Sequence, residues 1–169
     1  MNDEPLPPHA YIPGGSYPRP EDSGHHPGPL DDEHWGRSAE YLRGFRLFNA
    51  GYYWEAHEVW EGLWYAAGRA GPVADLLRGL IKFAAAGVKV RQQQQHGVVT
   101  HASRAAASFD AARLVSSGTR LLGMDLVELA KTARSLAESP PSTGSTLSDP
   151  LVRVFDFTLS PKETTALGS

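Results

Sequence analysis

From Phe48 to Trp64 the chain reads FNAGYYWEAHEVWEGLW. A glycine stop followed at once by an aromatic-rich stretch with helical spacing leaves few folds open. Gly51 suits the left-handed position just past a helix end. With Tyr52 as origin and about 100° per residue, Tyr52, Ala56, Val59, Trp60, Leu63 and Ala67 fall within a sector of roughly 100°. A sector of that width is the buried stripe of an amphipathic helix. The chain is therefore expected to be all-α, a compact bundle of about five helices.

The flanks extend the same pattern. Asp31 or Asp32 is expected to cap a first helix, with Glu33 in its first turn. Trp35, Leu42, Phe45 and Phe48 then recur on one face, and Asn49-Ala50-Gly51 ends it. The second helix runs from about Tyr52 to Ala67 and stops at Gly68. Pro72 opens a third, a favoured first-turn use of proline. It is expected to continue to about Gln95, with the polar Gln92–Gln95 as its frayed end and Gly97 closing it. A fourth covers about Thr100 to Ser116, closed by Gly118. A fifth starts near Asp125 and stops before Pro140-Pro141. Gly79 and Gly87 lie inside the third helix, where each costs about 1 kcal/mol relative to Ala. They are read as points of close helix–helix contact.

Domain organisation follows from composition. Residues 1–29 are rich in Pro, Gly and His, carry little to bury, and are expected to be disordered. The His25–His26 pair in that stretch reads as a solvated loop rather than a metal tract. Residues 30–139 form the helical domain, and 140–169 a linker and extended tail. In VRVFDFTLS the residues Arg153, Phe155, Phe157 and Leu159 alternate with Val152, Val154, Asp156 and Thr158. A lone strand has no partner here, so the phenylalanines are expected to dock on the helices or on a second chain.

Charge and composition exclude several functions. The chain has no cysteine, which removes disulfides, thiolate metal sites and a cysteine nucleophile. A formal charge of −3 gives no electrostatic grip on nucleic acid or anionic lipid. The longest apolar run, near Leu76 to Val90, is broken by Arg78, Lys82 and Lys89, so no membrane span is expected. The acidic, proline-rich N-terminus lacks the features of a secretory signal, and the expected location is cytoplasmic. No glycine-flanked serine elbow or phosphate-cradling glycine loop is present.

The polar residues of the second helix carry what chemistry there is. His57 and Glu61, four apart, lie together at the edge of the buried stripe, with Tyr53 and Trp64 on their core side. Glu58 and Trp54 lie further round, and Glu55 is placed on the far edge. An imidazole and a carboxylate in this relation can chelate a divalent metal or form an acid–base pair. His96 or His101 would complete a site only if the fold brings them close. The pattern lacks the second histidine of a zinc-protease helix and the paired motifs of di-iron bundles. On the third helix Arg78, Lys82 and Lys89 share a stripe. They form a solvated face, or Arg78 or Lys82 pairs with Glu58 or Glu61 across the packed helices.

The run Phe48-Asn49-x-Gly51-x-Tyr53-x-Glu55-x-His57-Glu58-x-x-Glu61-x-x-Trp64 resembles the domain-of-unknown-function family three hundred and nine. Arg78-Gly79-Leu80-Ile81-Lys82-x-Ala84-Ala85-Ala86 is similar to that family's third helix, and Gly123-Met124-Asp125-Leu126 also fits. The resemblance covers about residues 38–130. It implies a compact helical bundle, in a family whose function is not established. Arg78 stands where glutamine is usual, and Val98-Val99-Thr100-His101 replaces an asparagine-containing turn.

Two functions are compatible with these residues. One is a non-catalytic binding or scaffold module, with the aromatic hairpin and the Phe155/Phe157 tail serving a protein partner or self-association. The other is a small acid–base or metal-assisted hydrolase using His57, Glu58 and Glu61. In that reading Tyr53, Trp64, Arg78 and Lys82 are candidate ligand contacts, and His57 and Glu61 hold the divalent metal.

Overall fold

The computed structural model describes residues 4–21, 27–144 and 147–163. The two aspartates expected to cap the first helix do other work. Asp31 Oδ1 accepts the backbone N–H groups of Glu33 and His34 at 2.9 and 2.8 Å, closing a local turn before a single 3₁₀ turn at Trp35–Arg37. Asp32 Oδ1 accepts the N–H of Leu122 at 2.7 Å, tying this entry segment to the far end of the chain. The cap falls to Ser38, which is extended in its backbone and whose Oγ accepts the Tyr41 N–H at 3.2 Å. Helix α1 then runs Ala39–Ala50 and ends at Gly51, left-handed at φ 101°, as its sequence position demands.

Helix α2 spans Tyr53–Ala66, and Gly68 follows it with φ 79°. Helix α3 spans Pro72–Arg91, four residues short of Gln95. The stop is a non-glycine residue. Gln93 takes φ 59°, and the Gln94 N–H returns to the Lys89 carbonyl at 2.9 Å. Helix α4, Gln95–Val115, therefore starts earlier than expected, and Gly97 lies within it rather than closing α3. A Cβ at Gly97 would meet Lys89 Cδ at 2.8 Å, so this glycine marks close approach and not a terminus. A two-residue hairpin pairs β1 (Arg120–Leu121) antiparallel with β2 (Met124–Asp125), in the register Arg120↔Asp125. Leu122 and Gly123 at its tip both have positive φ, the requirement of a tight hairpin turn. Helix α5, Leu126–Glu138, is capped by Asp125 Oδ1, which accepts the N–H groups of Val127 and Glu128.

Each long helix packs on the next in chain order. Three aromatic rings set how closely. Trp60 of α2 lies on Gly44 of α1, Tyr53 of α2 on Gly87 of α3, and Phe109 of α4 on Gly79 of α3; at each glycine an added methyl group would enter the ring. The two α3 contacts are those expected of Gly79 and Gly87. All three rings are fully buried. Among the described residues no helix is long and apolar enough to cross a membrane.

Both flanks lie against this bundle. The tail is extended without forming a strand. Phe155 stacks on Phe48 at 5.7 Å and on Phe157 at 5.0 Å, and Phe157 reaches Phe83 at 5.6 Å. Asn49 grips its backbone at both amide atoms: Nδ2 donates to the Leu159 carbonyl at 2.7 Å, and Oδ1 accepts the Leu159 N–H at 2.8 Å. Of the four residues expected on one side, Phe155 and Leu159 are buried, Phe157 half-buried and Arg153 exposed. The phenylalanines thus dock on the chain's own helices, one of the two placements expected of them.

The expectation of little to bury in residues 1–29 does not describe residues 4–21. Ala10 and Ile12 are buried in the core cluster, and Tyr52 donates its hydroxyl to the Pro7 carbonyl at 2.6 Å. The Ala10 N–H meets the Pro150 carbonyl at 2.8 Å, so the linker to the tail helps hold the segment. Its proline content hid these anchors. His25 and His26 lie outside the described residues.

The glycine contacts have opposite consequences by position. Gly79→Ala is expected to lower stability by about 1–3 kcal/mol through overpacking, despite the better helix propensity of alanine. At Gly62 in α2 a Cβ meets only Pro27 carbons at 3.7 Å, so Gly62→Ala is expected to raise stability by about 0.4–1 kcal/mol. Urea denaturation of both variants checks the ranking, and the reverse order would contradict the packing described.

Candidate functional site

Helix α2 turns one face to the core and two polar edges outward. Tyr52, Ala56, Trp60 and Leu63 of the stripe are buried, while Val59 and Ala67 are half-buried at its margins. Tyr53, a candidate ligand contact, is also in the core. Its hydroxyl accepts the Val154 N–H at 2.8 Å, and burial pushes its pKa up. Its place is as an anchor for the tail.

On the edge facing α3 and α4, His57 Nδ1 lies 3.3 Å from Glu58 Oε1, and His57 Nε2 lies 3.7 Å from Glu61 Oε2. The second distance is beyond a hydrogen bond. The imidazole side chain is 26% exposed and both carboxylate side chains are 39% exposed. Lys82 of α3 faces the same edge. Burial lowers its pKa, Arg104 and Arg78 add to that, and Glu61 opposes it. No Lys82–Glu61 ion pair forms among the described residues.

His101 of α4 joins this group, whereas His96 stays exposed. Burial, and then the positive fields of Lys82, Lys89 and Arg104, push the His101 pKa down to about 4, with His57 contributing. The ring is neutral at physiological pH, and its Nδ1 is buried without a hydrogen-bond partner.

Arg78 takes neither of the glutamate partners considered for it. Its Nη1 contacts Asp75 Oδ1 at 3.0 Å, its Nη2 donates to the Arg69 carbonyl at 3.3 Å, and its guanidinium lies 5.6 Å above the Trp64 ring. Asp75 sits one turn away on the same helix, which makes it the nearer carboxylate. Among the described residues no group of three or more His, Asp or Glu is placed to hold a metal ion. His57 and Glu61 remain a pair.

The other edge of α2 holds a residue that helical arithmetic put out of the way. Glu55 is only 7% exposed. Its Oε2 accepts the Tyr11 N–H at 2.9 Å, and its Oε1 is buried without a partner. Burial raises its pKa, with the hydrogen bond from Tyr11 opposing. Glu55 is covered by the N-terminal segment, and no helical periodicity in the sequence signals that cover. A cavity of about 590 Å³ opens between this segment and helices α1 and α2, with Arg19, Arg43, Trp54, Glu55 and Glu58 among its walls. Of the residues singled out in the sequence as catalytic candidates, only Glu58 lines it. Arg91 is a second buried charge the sequence did not mark; its Nη2 donates to the Asp149 carbonyl at 2.7 Å and holds the linker.

Among curated proteins no sequence matches the chain. A family model described as domain of unknown function (DUF309) matches residues 41–101, from Tyr41 in α1 to His101 in α4. Helix α5, the N-terminal segment and the tail lie outside that match. The stretch from α1 into α4 is thus what this chain has in similarity to that family.

Proposed function

We propose that the domain is a non-catalytic binding module, with its recognition surface along the polar edges of α2. The observation that carries this reading is the openness of the His57 cluster, whose imidazole side chain is 26% and whose two carboxylate side chains are each 39% exposed. Glu55 and Glu58 line the cavity under the N-terminal segment, whereas Glu61 lies at the open edge near Lys82. Acid–base catalysis by His57, Glu58 and Glu61 needs these groups converging on one enclosed reacting atom. A surface imidazole between two half-exposed carboxylates does not provide that enclosure. The net charge of −3 argues for a partner other than nucleic acid.

One observation favours the acid–base alternative. His101 and Lys82 are both shifted toward their neutral forms, with His101 close enough to feel His57 and Lys82 close enough to feel Glu61. The shift of His101 is too large for that role, because a base with a pKa of about 4 is weak at neutral pH. Lys82, near Glu61, also opposes a divalent cation there by charge repulsion.

Metal analysis of the purified full chain is expected to find no stoichiometric metal. One equivalent per chain, lost on His57→Ala, would overturn the non-catalytic reading in favour of a metal site. With its ring held only by local, half-exposed contacts, His57→Ala is expected to change stability by less than about 0.5 kcal/mol. A loss above about 2 kcal/mol would contradict this placement.

His101 gives a pH test of the same edge. The unfolded imidazole titrates at its ordinary 6.5 and the folded one at about 4, so the unfolded chain takes up the proton first. Its contribution to stability is complete above pH 6.5 and is lost as pH falls toward 4. NMR titration of the ring is expected to give a midpoint near 4, and His101→Gln is expected to flatten this part of the acid limb. A ring midpoint near 6.5 would contradict the burial and charge environment described.

A further inference from the structure

The cavity beside α2 pairs a carboxylate lacking a partner at one oxygen with walls of matching charge. Five glutamates border it, Glu4, Glu21, Glu40, Glu55 and Glu58, against two arginines, Arg19 and Arg43. Arg43 is turned to the N-terminal segment. It donates to the Glu4 and Pro5 carbonyls at 3.0 and 3.2 Å and lies 3.9 Å from the Glu4 carboxylate. Arg19 lies 5.2 Å above the Trp54 ring, so one guanidinium already occupies an aromatic face of this cavity. The volume of about 590 Å³ suits a small organic ligand, and Trp54, Val59, Leu47 and Pro7 supply an apolar lining for its carbon atoms.

Glu55 is the decisive wall. It is more than nine-tenths buried, its Oε2 is taken by Tyr11, and its Oε1 has no donor. A buried acceptor left open in this way is costly, and a charged donor relieves the cost better than a neutral one. We propose that this cavity binds a small organic cation bearing N–H donors, an alkylammonium or alkylguanidinium, with the Glu55 carboxylate as its counter-charge. An organic anion would meet an excess of carboxylates. A cation without N–H groups would leave Oε1 open.

The proposal rests on the binding-module reading and fails separately from it. Stoichiometric metal at His57 would overturn that reading and leave the cavity chemistry standing; a flat titration of the cavity does the reverse. The test uses the full chain, labelled with ¹⁵N, titrated at constant ionic strength with methylguanidinium, n-propylammonium, tetramethylammonium and acetate. The Tyr11 amide and the Trp54 indole N–H are expected to shift saturably with the first two ions alone. Glu55→Gln keeps an acceptor for Tyr11 but removes the charge, and is expected to weaken binding about tenfold or more. Glu138→Gln, at the exposed end of α5 and outside the cavity wall, is expected to leave it unchanged.

No saturable shift at Tyr11 and Trp54, equal binding of tetramethylammonium, saturable binding of acetate, or unaltered affinity in Glu55→Gln would each overturn the proposal. Should Glu55→Gln fail to give a folded spectrum, the wild-type pH series decides. Glu55 shares the cavity wall with Arg19, Arg43 and Glu58, lies close enough to Tyr52 to affect its hydroxyl, and has its pKa raised by burial. Affinity is then expected to fall as pH drops from about 7 to about 4, because protonation removes the counter-charge. Affinity flat across that range would overturn the assignment to Glu55.

Discussion

The structure depends on aromatic rings lying flush against helical glycines. Trp60 on Gly44, Tyr53 on Gly87 and Phe109 on Gly79 bring α1 to α2, α2 to α3 and α3 to α4. Each contact replaces a methyl group with the face or edge of a ring, so the helix axes approach more closely than larger residues permit. The cost is helix propensity at three interior positions, each about 1 kcal/mol. The return is full burial of three of the largest side chains in the molecule. The rest of the core builds outward from these seats, with Phe45 and Phe48 edging Trp60 and Phe83 meeting Phe109 at 5.4 Å.

This packing explains why a short motif serves several ends. In the run from Phe48 to Trp64, Phe48, Asn49 and Tyr53 hold the tail, while Tyr52 and Glu55 hold the N-terminal segment. Both held segments lie outside the family match at residues 41–101. The motif is therefore largely a clasp for flanking chain, laid around a helix whose opposite side is core. His57, Glu58 and Glu61 take no part in the clasp. In the proposed binding-module reading, they and the unpartnered oxygen of Glu55 serve a partner or ligand.

Much of this was legible from periodicity and punctuation. The αL stop at Gly51, the proline start at Pro72, the helix start near Asp125 and the glycine contacts at Gly79 and Gly87 all follow from local rules, and all are present. The misplaced boundary between α3 and α4 has a physical cause. Gln93 adopts the left-handed conformation that glycine usually signals, so the glycine pattern points to Gly97 instead. The displaced first cap has another: Asp31 and Asp32 satisfy backbone donors elsewhere, one of them at Leu122. The site was less legible than the fold. A helical wheel gives the direction of Glu55 but not what covers it, and the cover comes from a proline-rich segment with no period of its own. Electrostatic proximity of His101 to Lys82 likewise depends on how α3 and α4 pack, which spacing along one helix does not reveal.

A double-mutant cycle at Gly79 and Phe109 tests the central claim most directly. If the ring sits on the glycine, replacing Phe109 with the smaller leucine makes room for the methyl group that Gly79→Ala adds. Urea unfolding of wild type, Gly79→Ala, Phe109→Leu and the double variant should then show the double variant less destabilised than the sum of the singles, by about 1 kcal/mol or more. Losses that add to within about 0.5 kcal/mol would mean the two positions do not constrain each other, and would contradict this account of the fold.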